Sequence, residues 1–83
     1  MELVAILEEL LSKDFSGQKY TKIDLIDMKK IITDKLSTVN AKGSTIKVLN
    51  TLSYNISTAK TKEAVLMFIS ELYLNLTNDD INS

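Results

Sequence analysis

The side chains of this chain that could do chemistry are carboxylates, lysines, tyrosines and hydroxyls; His, Cys, Arg, Trp and Pro are absent. Without imidazole or thiolate there is no base poised near neutrality, no soft nucleophile, and no nitrogen or sulfur set for zinc, haem or an iron–sulfur cluster. The paired carboxylates are Glu8–Glu9 and Asp79–Asp80. Neighbours on a helix diverge by about 100°, so Glu8 and Glu9 cannot converge on one substrate atom. A di-iron bundle site needs Glu-x-x-His pairs, and Asp79–Asp80 lacks further oxygen ligands at the spacing of a calcium loop. Gly43-Ser44 has no preceding strand and no following Gly-Lys-Ser/Thr run, so it reads as a turn and helix cap rather than a phosphate loop. The expectation is a non-enzymatic protein with no catalytic residue, metal or cofactor.

Composition narrows the partners. The chain has 83 residues, 45% of them apolar, and ten lysines against eleven carboxylates for a net charge of −1. One small domain is expected, burying about 60% of its unfolded surface around a thin core that nothing staples. A nucleic-acid binder shows a basic excess, with Arg for bidentate base contacts. Here the lysines are dispersed. A helix-turn-helix reading with Ala41-Lys42-Gly43 as the turn offers only Thr45, Lys47, Asn50 and Thr51 for recognition, so no nucleic-acid partner is expected, nor a small-molecule substrate. The N-terminal stretch lacks a positive segment and carries acids in its first turns, unlike a secretory signal. The longest uncharged apolar run, Ala64 to Ser70, is far short of the ~20 residues of a membrane span. A cytoplasmic location follows as an expectation.

The elements that must position any site are helical. Leu3, Ile6, Leu7, Leu10 and Leu11 recur at three and four residues, predicting a helix over residues 2–14 with Glu2, Glu8 and Glu9 on its wet side. Residues 15–20 read as a loop, with Phe15 and Tyr20 folded back as lids on the core. Thr21, with Asp24 three residues on, resembles a weak capping box opening a second helix to about Ser37, its inner stripe Leu25, Met28, Ile32, Leu36 and Val39. The main competing reading is a strand at Tyr20–Asp27, where Lys22-Ile23-Asp24-Leu25 alternates over only four residues. Ser44 is the expected N-cap of a third helix with Leu49, Leu52, Ile56 and Ala59 inside. Thr61 is the expected cap of a fourth, with Val65, Phe68, Ile69, Leu72, Tyr73 and Leu76 inside. Short connections favour sequential antiparallel packing. The predicted architecture is an all-α, antiparallel up-down four-helix bundle over residues 1–76, with a polar C-terminal tail at 77–83.

The third helix is unusual in carrying no charge from Asn50 to Ala59. Its outer side offers Tyr54 as an amphipathic anchor and Asn55 and Thr58 as hydrogen bonders that cost little to desolvate. Lys60, Thr61 and Lys62 follow at the turn, and Tyr73 and Asn75 on the last helix complete the candidate partner-binding set. The lysines would suit a protein partner or an anionic membrane surface, so peripheral membrane contact is possible on this reading.

The run Thr45–Ala59, a short polar turn, and Val65–Leu76 resemble the C-terminal half of immunity proteins for class IIa, pediocin-like bacteriocins, in which a Leu-spaced helix with a polar Tyr- and Asn-bearing stretch precedes a last helix ending like Glu71-Leu72-Tyr73-Leu74-Asn75-Leu76. The resemblance implies an intracellular four-helix bundle that protects the producing cell by recognising a mannose-type phosphotransferase permease with bacteriocin bound, so blocking the pore. It also implies that discrimination among bacteriocins lies in the C-terminal half. The tail is shorter than in many members. The alternative function is a small non-enzymatic regulatory or phage-encoded interaction protein that uses the same surface as a helical homodimer, and the expected state is a monomer or weak dimer.

Overall fold

The computed structural model describes the backbone of residues 2–82 and side chains through residue 78. The described residues are all-helical, with five α-helices against an expectation of four: α1 (Glu2–Glu9), α2 (Gly17–Lys22), α3 (Leu25–Leu36), α4 (Ser44–Thr58) and α5 (Lys62–Asn82). A π-helical turn over Leu10–Asp14 continues α1. Among the described residues there is no strand, and Lys22–Leu25 instead spans the end of α2 and the start of α3.

The apolar stripes go where their period sends them. Leu3, Leu7, Leu10, Phe15, Met28, Ile32, Leu36, Leu52, Ile56, Ala59, Val65 and Ile69 form one buried cluster. Burying each large aliphatic side chain is worth roughly 1.5–3 kcal/mol, which is where the stability of so small a domain must come from. Helix α5 packs against α1, α3 and α4, while α3 also touches α1 and α4. Ile69 and Val65, both fully buried, are the centre of that packing. Tyr20 packs on the cluster's edge and Phe15 enters it, as the lid expectation had it.

Four boundaries differ from expectation, the first three for a local reason. The segment read as a loop folds into α2 because Gly17, at φ 55°, takes a positive φ and reverses the chain. The Ser16 hydroxyl then donates to the Ser12 carbonyl at 3.0 Å, and that of Thr21 to the Gly17 carbonyl at 3.2 Å. Thr21 therefore ends a helix rather than opening one. Ile23 is extended, and Asp24 is the true cap of α3, its Oδ1 accepting from the Asp27 N–H at 2.8 Å. At α4 the cap position falls on Gly43, at φ 59°, with Ser44 the first helical residue and no side-chain cap. The polar residues 77–82 are the last turns of α5, and Ser83 lies outside the described residues.

Candidate binding face of the α4–α5 hairpin

Helices α4 and α5 are joined by a three-residue connection, Ala59–Thr61, and pack against each other. Thr61 starts α5 as expected, its Oγ1 accepting from the Ala64 N–H at 3.1 Å. The C-terminus of α4 is finished from outside: Lys29 Nζ on α3 donates to the Ser57 carbonyl at 3.1 Å. A cation there satisfies an orphan carbonyl and complements the negative end of the helix dipole.

Between the two helices lies an open groove of about 330 Å³. Val48 and Leu52 of α4 and Phe68 and Leu72 of α5 form its apolar floor. Lys47, Thr51 and Asn55 rise on the α4 side, Glu71 and Asn75 on the α5 side. Beside these walls stand large apolar side chains open to solvent: Tyr54 is 68% exposed, Met67 50% and Leu74 55%. Exposed apolar side chains flanking a groove suit a surface to a partner; Ile26 on α3, at 78%, and Ile46 on α4 are exposed as well.

The eight residues expected to bind a partner separate into distinct groups. Asn55 and Asn75 share the groove. Tyr54 is on its flank, and Lys60 is exposed at the turn with no ion pair among the described residues. The Thr58 hydroxyl is turned onto its own helix, donating to the carbonyls of Tyr54 at 3.1 Å and Asn55 at 3.2 Å. Thr61 serves as the cap just described. Tyr73 lies about 100° round α5 from Leu72, so it packs against the core and faces away from the groove. Lys62 is half-buried and already engaged: its Nζ donates to the Tyr20 carbonyl at 2.6 Å, approaches that of Thr21 at 3.4 Å, and sits 4.7 Å from the Tyr20 ring centroid. The Tyr20 hydroxyl donates in turn to Glu63 Oε2 at 3.0 Å. Partial burial, with Glu63 beside it, pushes the Tyr20 phenol up from its ordinary value.

Sequence reading passed over the groove floor and its charged walls. Leu52, Phe68 and Leu72 are read as inward and Val48 as flanking the stripe, and all four do touch the core or its edge while also lining the groove. The signal was present in two halves, since each pair is spaced by one turn on facing helices.

A second charged cluster joins α3 to the end of α1 and the turn after it. Lys35 Nζ donates to Asp14 Oδ2 at 2.5 Å and lies 3.0 Å from Glu9 Oε1. Asp14, and then Glu9, hold the Lys35 ammonium above the ordinary lysine range, against partial burial, which acts the other way. Glu8 and Glu9 border a shallow hollow with Ala5, Ser12 and Lys13, and Glu9 is committed to Lys35. Among the described residues no group of carboxylates is placed to hold a metal ion, and no helix is long and apolar enough to cross a membrane. The Asp79–Asp80 side chains lie outside those described. No family model, no curated protein and no solved structure matches the chain.

Proposed function

We propose that the protein is a non-enzymatic binding protein acting in bacteriocin immunity. On this reading α1, α3, α4 and α5 form an antiparallel four-helix bundle strapped by α2. From the cytoplasmic side, the outer face of the α4–α5 hairpin recognises a bacteriocin-bound permease of the mannose phosphotransferase type. The observation that supports the reading is the coincidence of surface and sequence. The exposed, uncharged side of α4 with Tyr54, and the apolar groove beside it, both fall within Thr45–Leu76, the stretch that carries the resemblance. Hydroxyl and amide groups desolvate at low cost, and a rigid aromatic supplies contact area at low entropy cost. Such a face acts without chemistry: it holds a pore closed to the extent that it binds the blocked state more tightly than the open one.

The test is protection of a bacteriocin-sensitive strain expressing the protein, read as the inhibitory concentration of each of a panel of pediocin-like peptides. Tyr54→Ala, Asn55→Ala and Lys60→Ala are expected to lower protection while circular dichroism stays unchanged. Loss of one central aromatic anchor costs about 2 kcal/mol of binding or more, a roughly thirtyfold weakening. Glu2→Gln and Glu8→Gln are the neutral controls. Wild-type protein that protects against none of the panel overturns the reading.

A further inference from the structure

We propose that in the free protein the α4–α5 groove is covered by a second copy of this chain, in a symmetric pair whose twofold axis runs along the groove. A rotation about such an axis preserves each residue's height along the hairpin and exchanges the helices, so α4 of one copy lies over α5 of the other. The heights match chemically. Tyr54 stands six residues before Lys60 and Met67 seven after it, so the exposed large apolar side chain nearest the turn on each helix comes level with the other, an aromatic ring against a thioether. Lys47 stands thirteen before and Leu74 fourteen after, with Glu71 one helical turn nearer the connection. Each Lys47 is thus set beside Leu74 of the second copy and within side-chain reach of its Glu71, and the twofold repeats the pair. Within one copy, neither Lys47 nor Glu71 has an ion-pair partner among the described residues. The face is neutral overall and presents each charge opposite its complement, which few unrelated surfaces do.

The inference is independent of the immunity reading, since it concerns purified protein without bacteriocin or membrane; a receptor using the same face must displace the second copy. Sedimentation velocity and light scattering over a concentration series test it. The expected mass rises from that of the 9.3 kDa chain toward about twice that value. Lys47→Glu and Glu71→Lys alone each raise the dissociation constant about tenfold, and the two combined in one chain restore it to within about threefold. Met67→Lys leaves only monomer. All three positions are exposed, and unchanged far-ultraviolet circular dichroism verifies that each variant is folded. A mass that stays at one chain up to about millimolar concentration, or a dimer indifferent to Met67→Lys, overturns the proposal; a charge swap no tighter than the single reversals overturns the arrangement of the copies.

Discussion

Lys60 and Lys62 are two residues apart, equally charged, and adjacent to the same turn, yet their removal should have very different effects. Lys62 bridges α5 to the end of α2, with Nζ 2.6 Å from the Tyr20 carbonyl and 4.7 Å from its ring centroid. A hydrogen bond from a charged donor contributes roughly 1.5–3 kcal/mol, and a cation over an exposed aromatic face about 0.5–1 kcal/mol. Half-burial of the lysine and competition from water bring the expected cost of Lys62→Ala to about 1–2 kcal/mol. For a domain of this size each kcal/mol moves the melting temperature by about 4–8 °C, so a fall of about 5–15 °C is expected. Lys60→Ala, which breaks no contact with the fold, should stay within about 0.5 kcal/mol. Thermal melts of the two variants, together with Lys62→Met and a double-mutant cycle with Tyr20→Leu, separate lost packing from lost charge. Equal melting temperatures for Lys60→Ala and Lys62→Ala would refute the assignment of Lys62 to the fold.

Two further outcomes follow from the core and from the raised pKa values. Leu52→Ala empties the centre of α4 where it meets α5 and should cost about 2–5 kcal/mol, enough to unfold much of the population; an unchanged denaturation midpoint would mean Leu52 contributes nothing inside. The Lys35 ammonium and the neutral Tyr20 phenol are both favoured by folding. Their stabilisation is complete below the ordinary values of 10.5 and 10.0 and is lost as pH rises through the higher folded-state values. Melting temperature should therefore be level from neutrality to about pH 10 and then fall, with Lys35→Met and Tyr20→Phe each flattening part of that fall.

Helical period was enough to read nearly all of the core, because burial repeats every three to four residues and the chain obeys that repeat from Leu3 to Ile69. It was not enough for α2. That helix is six residues long, has no buried side chain, and is held by a positive-φ glycine, by hydroxyls and by a lysine from the far end of the sequence. None of these leaves a periodic trace. The misplaced caps at Thr21 and Ser44 have a related cause: several Ser, Thr and Asp residues near a boundary can cap, and the choice among them depends on where the preceding chain arrives. In the candidate site, the uncharged face of α4 was legible as composition. That Asn55 and Asn75 share a groove while Tyr73 points elsewhere depends on how two helices meet, which periodicity within either one does not contain.

The wide turn at Leu10–Asp14 bears on how this chain tolerates a change of length. It is closed by the Phe15 N–H on the Leu10 carbonyl at 2.8 Å, a ring one residue larger than that of a regular helix. In a regular helix Leu10 and Phe15 would diverge by about 140°; the widened turn brings both into the core and aims Asp14 at Lys35. The turn thus absorbs one residue locally, without disturbing the register of Leu3 and Leu7 before it or of Met28 and Ile32 after it. A one-residue deletion among residues 11–13 would leave a regular helix in which Phe15 follows Leu10 by four positions, about 40° round the axis and still on the core side. The irregularity after α1 is therefore a place where the chain can lose a residue and keep both of its ends in register.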